Sequence, residues 1–131
     1  MDRDTYEPVL GETLGLDEVP ELEARAIAAW SSIEGREASV DRWNALSITE
    51  HQKWLAAAAE HREAGDSIDV GAVIWFAQMT DRLHGDQHTI VTEYRRLPRA
   101  LRMRCRAAAL AAEMAGRDWS LRHRQRWGRS E

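Results

Sequence analysis

The stretch Trp43-Asn-Ala-Leu46-Ser47-Ile-Thr-Glu50-His-Gln-Lys53-Trp54-Leu-Ala-Ala-Ala-Ala59 decides the fold. Ser47 and Glu50 form a Ser-x-x-Glu capping box, in which each side chain satisfies a backbone N–H that the first helical turn leaves open. Trp43 and Leu46, just ahead of the cap, are placed to pack under the first turns. Fifty-one residues later the skeleton returns as Tyr94-Arg-Arg-Leu97-Pro98-Arg-Ala-Leu-Arg-Met-Arg104-Cys105-Arg-Ala-Ala-Ala-Leu110. An aromatic matches an aromatic, Leu matches Leu, the Ser47 cap matches Pro98 (a residue suited to a helix start), and Lys53 matches Arg104. Both copies run into an Ala-rich turn. The chain therefore reads as a tandem of two helical units.

The rest of the sequence fits that frame. Pro20 starts a first helix, Glu21 and Glu23 lie beside its positive dipole end, and Gly35 closes it. Leu22, Ala26, Ala29, Trp30 and Ile33 repeat on one face of that helix. The helix capped by Ser47 runs to about Ala64 and stops at Gly65. A third helix is expected over Val70 to Leu83, with Val73, Phe76, Ala77, Thr80 and His84 on one face, Ile74 and Trp75 broadening it, and Gly85 at its end. A fourth spans Pro98 to about Ala115 and stops at Gly116, with Leu97, Leu101, Cys105 and Ala108 on its buried side. Val, Ile, Thr and Phe are too scarce for several strands. The reading is all-α: two tandem αα-hairpins, over residues 19–65 and 66–116, packed as a small bundle because neither alone can bury both sides of its apolar stripe. Residues 1–18 form an acidic N-terminal arm and residues 117–131 a basic tail with a short helix.

With 131 residues, 44% hydrophobic content and six Trp, the chain can bury a core of its own. Its net charge of −4 hides an asymmetry: residues 1–66 carry 15 acids and 6 bases, residues 67–131 carry 7 acids and 12 bases. The halves are thus −9 and +5, a polarity that points to an oriented partner, to self-association, or to one half pairing with the other. No apolar run approaches the roughly 18 residues of a membrane helix, and no signal peptide opens the chain, so no membrane partner and a cytoplasmic location are expected.

Chemical signatures are sparse. The single Cys105 falls in the apolar rhythm of a helix, where a buried thiol is expected rather than a nucleophile. Asp81, His84 and His88 share an i, i+3, i+7 spacing that could offer metal ligands on one helix face, but Gly85 interrupts it and loop polar residues are the better reading. No nucleophile elbow or phosphate-cradling Gly loop occurs. No catalytic residue, cofactor or metal is assigned.

The basic residues are more distinctive. Arg95, Arg99, Arg102 and Arg106 would share a stripe if helical geometry reached back to Arg95. Arg122 and Arg126 follow, interleaved with Trp119 and Trp127. Arg beside aromatic residues suits phosphate contact and base stacking, and equally a protein-binding hot spot. The expected function is a non-enzymatic protein-binding or assembly module, with a protein partner or self-association foremost. Nucleic-acid binding through the 95–129 surface is the alternative.

Two resemblances accompany this. Trp43, Leu46, Ser47, Lys53, Trp54 and Ala58 resemble the second helix of HMG-box proteins, which would imply bending of DNA from the minor groove. That family's basic N-terminal strand and intercalating wedge have no counterpart here, which sets it aside. The tandem form, carried by Trp43, Leu46, Trp54 and Ala57 and by Tyr94, Leu97 and Ala108, is similar to small Trp/Leu/Ala-rich helical proteins of actinobacteria and their phages. That likeness implies a phage-encoded accessory or virion-associated role, in the virion or the host cytoplasm.

Overall fold

The computed structural model describes residues 18–35 and 39–128, with side chains described from residue 20 to 122 within them. The described residues form six helices and no strands: α1 Glu18–Glu34, α2 Val40–Ala45, α3 Ile48–Glu63, α4 Ile68–Met79, α5 Gln87–Arg95 and α6 Arg99–Gly128. The acidic arm lies outside the described residues, except that Glu18 already belongs to α1.

Short polar side chains open the helices in the same way. Ser39, Ser47, Ser67 and Asp86 each accept a hydrogen bond from the backbone N–H three residues on. Gly35 follows α1 with a positive φ of 66°, as a C-terminal glycine does. The all-α bundle read from the sequence is the architecture found. Its two repeats align as a short helix feeding a longer one, α2 into α3 and α5 into α6.

Four helices make a ring. α1 packs on α3 and α6, α4 packs on α3 and α6, and α5 lies against α4. α1 and α3 are antiparallel: Arg62 near the end of α3 reaches Glu21 near the start of α1 at 3.0 Å. At the other end Trp30 meets Trp43 edge-on, with ring centroids 5.4 Å apart. α3 and α4 are also antiparallel, from His61 against Trp75 to Lys53 paired with Asp81 at 3.0 Å. The main core collects Leu22, Ala26, Ala29 and Trp30 of α1, Trp54, Leu55, Ala57 and Ala58 of α3, Trp75 of α4, and Ala108, Ala109 and Ala112 of α6. The small residues let the helices approach closely while Trp54 and Trp75 stack at 5.9 Å. A second cluster, Ala72, Phe76, Ala77, Ile90 and Cys105, joins α4, α5 and α6.

Two expected boundaries differ. α4 ends at Met79 rather than Leu83. The Thr80 hydroxyl donates to the Phe76 carbonyl at 3.0 Å, Asp81 takes a φ of +60°, and the Arg82 N–H bonds back to the Ala77 carbonyl at 2.7 Å. That is a Schellman-type close with Asp in the left-handed position usually held by glycine. The larger correction concerns Gly116, which does not stop the fourth helix. α6 runs on to Gly128, so the short tail helix is its last third.

Gly116 is buried in α6 because Arg25 lies across it. A Cβ there would fall inside the guanidinium of Arg25. Arg25 is buried and donates through Nε and Nη2 to Glu21, at 3.1 and 3.0 Å, and through Nη1 to Asp66. Asp66 reaches it from the α3–α4 turn with a φ of +60°. A buried cation with two carboxylates and a flat glycine seat is a paired charge, the condition under which burial is tolerated.

Candidate binding surfaces

Two surfaces stand out once the core is accounted for. The first is the outer side of α6. Arg99, Arg102 and Arg106 follow one another at i, i+3, i+7 along it. Arg95 does not join their stripe, because it ends α5 and the Arg96-Leu97-Pro98 turn separates the two helices. Arg96 caps α5, and Pro98 has no N–H with which to carry the ladder across. The guanidinium of Arg106 pairs with Asp69 at the start of α4. Arg117 pairs with Glu113, and Arg122 lies 2.9 Å from Asp118, both one turn back on the same helix. Trp119 is half-buried and engaged in contacts of its own. Arg126 and Trp127 continue the helix, and their side chains lie outside the described residues.

The same outer side carries an apolar row absent from the sequence-based site: Met103, Leu110, Met114 and Leu121, all exposed. Arg residues flank this row on both sides. Their spacing of seven, four and seven puts them on the side of the helix opposite its buried face.

The second surface is a groove of about 850 Å³ between the C-terminal half of α3, α4 and α5. Val70, Val73, Ile74, Leu83, Ile90 and Val91 line it, with Glu60, Glu63 and Asp69 among them. The sequence places Val73 and Ile74 on the apolar face of a helix but assigns none of the lining residues to a binding site. A signal existed. Gly71, Ala72, Trp75 and Phe76 bury one side of α4. Val70, Val73, Ile74 and Ala77 supply a further stripe at i, i+3, i+4, i+7, and a helix apolar on most sides needs cover on most sides. α5 covers this stripe only in part.

The remaining polar groups are held by structure. His61 is buried: its Nε2–H donates to the Ser67 carbonyl at 3.1 Å, and its Nδ1 accepts from the Trp75 indole at 3.3 Å. Burial lowers its pKa, and Asp66 and the Ser67 carbonyl oppose that shift. Gly71 leaves room for the ring, since a Cβ there would collide with His61 and stand 2.9 Å from the Ala109 Cβ. Cys105 is buried, and burial pushes its thiol up, which keeps it protonated and a poor nucleophile.

Asp81, His84 and His88 do not share a helix face. Asp81 sits in the turn after α4 and faces Lys53, His84 lies 3.8 Å from Glu60, and His88 belongs to α5. Among the described residues no group of three or more His, Cys, Asp or Glu gathers as a metal site. No described helix is long and apolar enough to cross a membrane. Comparisons with known protein families, with characterised proteins and with solved structures each find no match.

Proposed function

We propose that the protein is a non-enzymatic protein-binding or assembly module that receives an amphipathic helix of a partner protein between α3, α4 and α5. The groove itself carries this reading: about 850 Å³, lined by apolar side chains of three helices and bordered by Glu60, Glu63 and Asp69. Helix-in-groove recognition needs such an apolar trough for residues at i, i+3, i+4 and i+7. Asp69 already faces Arg106 and Arg62 faces Glu21, which leaves Glu60 and Glu63 to favour an incoming helix with Lys or Arg along its flanks. An accessory or virion-associated role is one setting for such a module.

Nucleic-acid binding is the second reading, and exposed Arg95, Arg99 and Arg104 favour it. Against it, Arg106, Arg117 and Arg122 already face carboxylates, which reduces the positive charge left for phosphates.

The test is to pan a displayed library of amphipathic helical peptides against the immobilised full chain. Enrichment of helices with basic flanks is expected. It should be lost in Val73→Arg and weakened in Glu63→Arg, a change on an exposed residue that leaves the fold intact. Enrichment indifferent to both substitutions, or no enrichment, would overturn the reading. Salt-dependent binding of duplex DNA by the wild type, abolished by Arg95→Ala and Arg99→Ala together, would put the second reading in its place.

A further inference from the structure

The groove continues into a second depression of about 580 Å³, and Leu83 lines both. The same two helices also wall them. On α3, Glu63, Glu60, Ala56, Lys53 and Thr49 recur every three or four residues, the first two beside the groove and the last three beside the depression. On α4, Val70, Val73, Ile74 and Ala77 line the groove and Gln78 lines the depression, again on one stripe. Because α3 and α4 are antiparallel, the two stripes flank a single trough. It follows α3 for about four helical turns, roughly 20 Å at 1.5 Å per residue.

Gln78 is the polar group that the fold leaves unanswered in this trough. It is 5% exposed, and its side-chain amide meets no hydrogen-bond partner among the described residues. The charged side chains around it are engaged. Lys53 faces Asp81 at 3.0 Å, and Arg82 donates to both carboxylate oxygens of Glu93 at 2.9 and 2.6 Å. Gln52 nearby is only half-buried and stays in contact with solvent. Solvent reaches the Gln78 amide through the open trough, so a partner that seals the trough must satisfy that amide itself. We infer that the helix received by the groove carries an Asn or Gln that pairs with Gln78, each amide donating to and accepting from the other. Such pairing rests on the groove reading and adds a register to it. A single buried amide among apolar contacts fixes register in coiled coils in the same way. Glu60 and Glu63, at the other end of the trough, favour the positive N-terminal end of the incoming helix, which then runs antiparallel to α3. Gln78 lies one turn past Ile74 on α4, so the matching amide falls three or four residues C-terminal to the last apolar anchor. An apolar residue at that position would strand the Gln78 amide and weaken binding by about tenfold or more.

The test pans the displayed helix library against the full-length wild type and, in parallel, against Gln78→Leu. Helices enriched on the wild type should carry Asn or Gln at that one position, and helices enriched on Gln78→Leu should carry an apolar residue there. A peptide synthesised from the wild-type pool is then compared by fluorescence anisotropy with its copy in which Leu replaces the amide residue. The copy should bind the wild type about tenfold more weakly, and the gap should close in Gln78→Leu. The peptide exchange on the wild type keeps the test decisive even if Gln78→Leu does not fold. Enriched helices without an amide preference, or with one that survives Gln78→Leu, overturn the pairing and leave the groove reading standing. An amide preference N-terminal to the apolar anchors overturns the antiparallel orientation. No enriched helix at all removes the groove reading and the pairing together.

Discussion

At the scale of single residues, the structure spends its buried polar groups on holding helices together. His61 is the clearest case. Its ring joins α3 to Trp75 of α4 and to the Ser67 carbonyl of the turn between them. Accepting from Trp75 requires an unprotonated Nδ1, so the fold selects the neutral imidazole. Burial is the main cause of its lowered pKa, from an ordinary 6.5. Because the folded value lies below the unfolded one, the unfolded chain takes up the proton first as pH falls. The contribution of His61 is therefore complete above pH 6.5 and is lost progressively below it, down to the lowered folded value. The melting temperature should fall between pH 7.5 and pH 5.5. His61→Leu should lower it at both pH values but flatten the difference. An NMR titration should show His61 protonating below the ordinary imidazole value of 6.5. An undiminished pH slope in His61→Leu would mean that another group carries it.

At the scale of elements, caps read well from the sequence and interior glycines did not. Ser47, which accepts from the Glu50 N–H, and Gly35 and Gly65 with φ of +66° and +72°, do what their positions promise. Gly116 looks the same in sequence, a glycine after an Ala-rich run, yet it lies inside a thirty-residue helix. What distinguishes it is Arg25, ninety-one residues earlier, which one-dimensional periodicity cannot pair with it. The two readings of Gly116 predict opposite outcomes for Gly116→Ala. In an open helix interior Ala would stabilise by roughly 1 kcal/mol. Here the new Cβ must displace a guanidinium held by Glu21 and Asp66, and overpacking of this kind costs about 1–3 kcal/mol, so net destabilisation is expected. Urea denaturation decides it: a lower midpoint supports the seat for Arg25, and a higher one dissolves it. Of the candidate site, the Arg positions on α6 were readable, because i, i+3, i+7 spacing is local. The groove was not, because it exists only where α3, α4 and α5 converge.

At the scale of the whole molecule, the repeat describes sequence units rather than folding units. α1 belongs to the first unit and α6 to the second, yet theirs is the most extensive pairing in the bundle. Ala108, Ala109 and Ala112 of α6 complete the core around Trp30, Trp54 and Trp75. α4 then links the two cores through adjacent residues, with Trp75 in one and Phe76 in the other. A chain whose halves complete each other has no half able to persist alone, and loss of either core exposes the other. Unfolding by denaturant should therefore be a single transition. Trp fluorescence reports mainly on the first core, where Trp30, Trp43, Trp54 and Trp75 are buried, while far-UV circular dichroism reports on all helices. The two curves should superimpose in the wild type and, at a common lower midpoint, in Phe76→Leu, a substitution confined to the second core. If Phe76→Leu shifted the dichroism while leaving the fluorescence midpoint in place, the two halves would be separable domains. The interlock through α1, α4 and α6 would then not be what holds the chain together.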